Sequence, residues 1–134
     1  KEYLINFSRS LIYTTALPPH AVATILASYQ FLIKNDELID QLKKQIQKFK
    51  EEVDRKQLSA YFLVSQTPIQ SLIIKDNIKA KQLESTLQAN GYDIRAILSP
   101  TVPEGTERLR ICLHAFNSDK AIEELVYLLH NQLT

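Results

Sequence analysis

The chain has 134 residues, 45% hydrophobic and 23% charged, ordinary globular values that exclude disordered, collagen-like or disulfide-built sequence and fit one domain of about 100 to 200 residues. Lys and Arg number 16 against 15 Asp and Glu, a net charge of +1, so no global basic field draws the chain to nucleic acid or anionic lipid. No apolar run approaches the roughly 18 residues of a membrane span, and the lone Cys112, unable to close an internal disulfide, points to a reducing, cytoplasmic setting.

Two counts add to this. The 2 glycines, Gly91 and Gly105, cannot spell GxGxxG or GxxxxGK[ST], which removes Gly-rich phosphate loops. There is no methionine, so Lys1 is not a translation start, and the expectation is a piece of a longer protein.

In chain order, Tyr3 to Phe7 reads as helix or extended, and Leu11-Ile12-Tyr13 as a short strand without an obvious partner. From Pro18 to Ile33 the residues Val22, Ile25, Leu26, Tyr29, Leu32 and Ile33 recur at three and four, the helical period, with Pro18-Pro19 where a helix start tolerates proline. A second amphipathic helix follows the capping pair Asn35-Asp36 and carries Leu38, Leu42, Ile46, Phe49 and Val53 on one face; its charges mix both signs and mark a solvated surface. Leu72-Ile73-Ile74 is a short buried strand, Asp76-Asn77 caps a helix through Leu83 and Leu87, and Gly91 ends it in the left-handed position.

Alternation over Tyr92 to Leu98 predicts a second strand, and the Pro-rich stretch 99–106 a loop. A third strand sets Leu109, Ile111 and Leu113 on one face and Arg108, Arg110, Cys112 and His114 on the other. A last helix, capped near Asn117-Ser118, buries Ile122, Leu125, Val126, Leu129 and Leu133. The expected class is α+β, a small, mostly antiparallel sheet with helices on one face.

The residues offer few candidates for chemistry. His20, His114, His130 and Cys112 have no metal-ligand spacing, so no metal is expected. Cys112, between Ile111 and Leu113, reads as a small buried hydrophobe. Tyr13, Thr14 and Thr15 stand at the mouth of the first long helix, where free N–H groups and the helix dipole favour an anion; the alternative is that Thr14 or Thr15 ends a strand or caps the helix. Arg108 and Arg110 project from a strand just after the loop, where a guanidinium can hold a carboxylate by two parallel bonds; arginine on an exposed strand face is also common for no such reason.

Taken together, FSRSLIYTTALPPH (residues 7–20) and SPTVPEGTERLRICLHAF (residues 99–116) closely resemble the C-terminal part of the α-oxoamine synthases, pyridoxal-phosphate enzymes, and the similarity runs in order through the whole chain. The wording IYTTALPPH is nearer to the biotin-synthesis branch than to glycine C-acetyltransferase, 5-aminolevulinate synthase or serine palmitoyltransferase, which share the pattern with variations.

The resemblance implies the fold type I architecture of aspartate aminotransferase, with residues 1–17 the last segment of the large cofactor domain and 18–134 the small C-terminal domain. It implies a reaction in which L-alanine condenses with a pimeloyl thioester, carried on coenzyme A or a carrier protein, with loss of carbon dioxide. Arg110 falls on the Arg of the family's LR-I pattern and would hold the amino-acid carboxylate; Thr101 falls on the Thr of PPTVP, here preceded by Ser99-Pro100, and would sit near it. Tyr13, Thr14 and Thr15 match the stretch lining the cofactor phosphate across a homodimer interface, Thr15 being the first choice for the bond. Arg108 matches a less constant position and keeps a structural reading. The lysine that binds the cofactor covalently lies upstream in the family, so this chain alone is expected to be inactive. A different class of reading is a non-catalytic small-molecule-binding module, which a small α+β layer also supports.

Overall fold

The computed structural model describes residues 1–9 and 16–134, which fall into two compact units, Lys1–Asp36 and Glu37–Thr134. The first unit holds α1 (Glu2–Phe7) and α2 (Pro19–Ile33). Helix is thus the outcome at Tyr3 to Phe7. Pro18 is the N-cap of α2 and Pro19 lies in its first turn, where a missing N–H costs nothing because those amides have no partner inside the helix. No residue of α1 or α2 is buried. The strand expected at Leu11 to Tyr13 lies outside the described residues.

The second unit runs α3 (Asp36–Arg55), a 3-10 turn (Ser59–Tyr61), β1 (Ile69–Ile73), α4 (Asn77–Ala89), β2 (Arg95–Ile97), β3 (Arg108–Cys112) and α5 (Asp119–Leu133). The sheet order is β1-β3-β2 with both pairings antiparallel, the class the patterning predicts. Leu72, Leu109 and Ile111 on one sheet face share a buried core with Phe49 and Val53 of α3, Leu83 and Leu87 of α4, and Ile122, Leu125, Val126 and Leu129 of α5. Each such side chain taken out of water contributes about 1.5–3 kcal/mol, so these contacts hold the helices to that face. Leu133 is half-buried against the same cluster.

Two of the caps are those the sequence names. Asp76 accepts from the Lys79 amide at 2.7 Å and Ser118 from the Ala121 amide at 3.2 Å, each satisfying an orphan donor of the first turn. At the far end of α4, Gly91 takes φ +87° while its N–H donates to the Gln88 carbonyl and that of Tyr92 to the Leu87 carbonyl, both at 3.0 Å. That pair of bonds is a Schellman ending, which needs the left-handed residue.

Two expectations need correction. The strand β1 begins at Ile69 and stops at Ile73, not over Leu72 to Ile74. The buried Gln70 sits on its core face with its amide donating to the Thr67 carbonyl at 2.6 Å, so a polar residue interrupts the apolar pattern without leaving the core. Cys112 is exposed, because alternation with the buried Ile111 and Leu113 turns its side chain to the opposite face.

Candidate functional site

The face of the sheet turned away from the core carries the candidate arginines. Burial of Leu109 and Ile111 forces Arg110 outward, onto the central strand, where it lies in register with Ser71 on one side and Arg95 on the other. Among the described residues the Arg110 side chain has no hydrogen bond and no ion pair, whereas Arg95 pairs with Asp93 at 2.8 Å and Arg108 donates through Nε to the Thr106 carbonyl at 2.9 Å. The five N–H donors of Arg110 are therefore available to a ligand, and the half-buried Arg108 is occupied in holding its own loop.

Thr101 is exposed in the loop 99–106 between β2 and β3, after a cis Ser99-Pro100 peptide. The loop is closed on itself by bonds from the Val102 amide to the Leu98 carbonyl at 3.2 Å and from the Thr106 amide to the Pro103 carbonyl at 3.0 Å. Its exit is fixed where the Glu107 carbonyl accepts from the amides of Ile74 at 2.8 Å and Lys75 at 3.1 Å. Arg110 and Thr101 thus stand on one strand-loop-strand hairpin, and no hydrogen bond joins them. Tyr13, Thr14 and Thr15 lie outside the described residues.

The entrance to the loop is held by side chains to which the sequence reading gave no such role. Asn77 Oδ1 accepts from the Ser99 amide at 3.1 Å, Glu84 Oε1 from the Ala96 amide at 3.0 Å, and Gln88 Nε2 donates to the Ile94 carbonyl at 3.1 Å. Glu84 is buried and its second oxygen accepts from Lys81 Nζ at 2.5 Å; the Lys81 bond first, then the Ala96 amide, hold its carboxyl below the ordinary range against the opposing effect of burial. The signal in the sequence is a carboxylate falling beside the apolar stripe of Ala80, Leu83 and Leu87, a place where a charge survives only with partners.

A separate cleft of about 290 Å³ opens at the other end of β3, lined by Tyr92, Cys112, His114 and Phe116 among others. Neither Arg110 nor Thr101 lines it. No helix of the described residues is long and apolar enough to cross a membrane.

The model of the aminotransferase class I and II family matches residues 1–129. The chain belongs to the aminotransferase class I and II family. Among its class I and II relatives are 8-amino-7-oxononanoate synthase of Serratia proteamaculans, 39% identical over 130 residues and covering 97% of this chain, and that of Cupriavidus taiwanensis, 40% identical over 130 residues and covering 93%. The chain spans about a third of the length of these curated relatives, 33% and 32%. Of solved structures, 8-amino-7-oxononanoate synthase from Francisella tularensis superposes with a TM-score of 0.74 at 30% identity, over 98% of this chain and 38% of that one. A serine palmitoyltransferase from Sphingomonas wittichii gives a TM-score of 0.73 at 24% identity, over 98% of this chain and 33% of that one, a likeness of fold. The expected fold class, part of a fold type I transferase, is borne out.

Proposed function

We propose that the chain is part of an 8-amino-7-oxononanoate synthase, a pyridoxal-phosphate-dependent acyltransferase of biotin synthesis that works as a cytoplasmic homodimer. L-alanine and a pimeloyl thioester give 8-amino-7-oxononanoate, the free thiol and carbon dioxide. In this reading residues 1–17 close the large domain and 18–134 form the small C-terminal domain. The observation that carries it is the guanidinium of Arg110, unpaired among the described residues and turned away from the core, on the residue to which the resemblance gives the amino-acid carboxylate.

Bound pyridoxal phosphate supplies an electron sink for bond-breaking at the amino acid's α-carbon. The hydroxyls of Tyr13, Thr14 and Thr15, Thr15 foremost, are proposed to line its phosphate. Arg110 binds the alanine carboxylate through two parallel N–H donors and so fixes the direction of the α-carbon. The Thr101 hydroxyl, presented by the 99–106 loop, is a further donor beside that carboxylate. The central strand, paired on both sides, fixes the backbone from which the Arg110 guanidinium extends.

The test is turnover by the full-length, cofactor-loaded protein of a pimeloyl thioester with L-alanine, glycine or L-serine, read as thiol and carbon dioxide release. A preference for L-alanine supports the proposal. A preference for glycine or L-serine moves the chain to another branch of the α-oxoamine synthases, and no release with any of the three overturns the reading.

A further inference from the structure

Helix α4 does more than cover the sheet. Asn77, Glu84 and Gln88 are spaced by seven and four residues, which at about 100° per residue puts them within roughly 40° of one another on one helix face. They meet the backbone at Ser99, Ala96 and Ile94 in reverse order, so the helix runs antiparallel to the segment it holds. The two lengths agree: eleven residues of helix rise about 16 Å, and five residues of extended chain span about 16 Å. Ala96 lies in the edge strand β2, where an outward amide has no strand to pair with, and the buried Glu84 carboxylate supplies the acceptor. Thr101 follows two residues after the last contact of this ladder.

We infer that Asn77, Glu84 and Gln88 are positioning residues of the substrate site, a side-chain ladder on α4 that sets where the 99–106 loop leaves the sheet and thereby where Thr101 stands relative to Arg110. The inference rests on the reading of Thr101 and Arg110 as the carboxylate site and adds how that site is held. Asn77 is the member to perturb: it is exposed at the start of α4, so its truncation leaves the core intact, whereas loss of the buried Glu84 threatens folding.

Two measurements test it. Amide exchange on this chain reads the ladder itself: Asn77→Ala is expected to speed exchange at Ser99, and Asn77→Asp, which keeps an acceptor oxygen, to restore it. Kinetics of the full-length, cofactor-loaded protein read its use. Asn77→Ala is expected to raise KM for L-alanine by about threefold to tenfold, the loss of one hydrogen bond of about 0.5–1.5 kcal/mol, with kcat within about twofold. Asn77→Asp recovers KM, and Asn77→Ala adds little once Thr101→Ala is present. Unchanged exchange at Ser99, or an Asn77→Ala effect that multiplies with that of Thr101→Ala, overturns the inference while the carboxylate site stands. Faster exchange at Ser99 with KM indifferent to Thr101→Ala and Arg110→Lys overturns the carboxylate site and the ladder's role in it together, leaving α4 as a purely structural brace.

Discussion

Replacing Arg110 by Lys is the sharpest test of the carboxylate site, because the structure separates its effect on binding from any effect on folding. Arg110 is exposed and its guanidinium spends none of its donors on the described residues, so the substitution removes no hydrogen bond or ion pair among them and its stability cost lies within about 0.5 kcal/mol. Lysine keeps the positive charge and gives up the planar fork, leaving one charge-assisted bond where two ran in parallel. A hydrogen bond to a charged group is worth about 1.5–3 kcal/mol, which is about a tenfold to hundredfold rise in KM for L-alanine. The assay is initial rate against L-alanine at saturating acyl donor, with the melting temperature measured alongside.

The comparison that gives the number meaning is Arg95→Lys. Arg95 stands opposite Arg110 on the same sheet face, has the same charge and is also exposed, but its guanidinium is paired with Asp93. Its replacement is expected to change KM by less than about fivefold, the scale of an exposed ion pair worth about 0.2–1 kcal/mol. An unchanged KM for Arg110→Lys, or an equal rise for both variants, refutes the assignment: the first removes Arg110 from the site, and the second shows that the loss is common to the guanidiniums of this face and not specific to Arg110.

Three further outcomes follow from the same geometry. The exposed Cys112 should react with a thiol reagent in the native protein, and a thiol that titrates only after denaturant is added would contradict the register of β3. Gly91→Ala places a Cβ with nothing within 4 Å at φ +87°, so its cost is backbone strain of about 1 kcal/mol, visible as a lower urea midpoint at unchanged slope. Stability should fall as pH drops below the ordinary carboxylate range: Glu52, held down chiefly by Lys48, and Glu84, held down chiefly by Lys81, titrate lower in the folded chain. The unfolded chain then binds more protons, the folding contribution is whole above the unfolded value near 4.5, and it is lost as pH falls through the folded one. Glu84→Gln should flatten that acid slope in a chemical-denaturation series, and an identical slope would mean that Glu84 is solvated.

What the sequence made legible follows from how each residue is positioned. Arg110 is placed by strand alternation: once Leu109, Ile111 and Leu113 are apolar and buried, a period of two settles the direction of everything between them, Cys112 included. Reading Cys112 by its side-chain chemistry alone gave the wrong answer, since a thiol suits the core but this one shares parity with Arg110 and is exposed. The start of β1 was obscured for a related reason, a buried Gln70 whose amide finds a carbonyl three residues back, so polarity on the core face carries no exposure with it. Caps and the Gly91 ending were readable because they are local, each decided within a turn of helix.

Thr101 is positioned by a different physics. Its loop has no periodicity to fix its direction, and its placement comes from three side chains of α4 that meet backbone atoms from six to twenty-two residues away. Such bonds join a helix periodic in 3.6 to an extended segment periodic in two, and no single pattern in the sequence spans both. The trace they do leave is energetic: a carboxylate at a buried helix position costs several kcal/mol unless it is paired, so Glu84 had to have partners, Lys81 first and then the amide of Ala96, the one that ties it to the sheet's edge. The proposed carboxylate site therefore combines a residue whose position the strand dictates with one whose position a neighbouring helix dictates, and a substitution on α4 that touches no substrate is the way to tell the two apart.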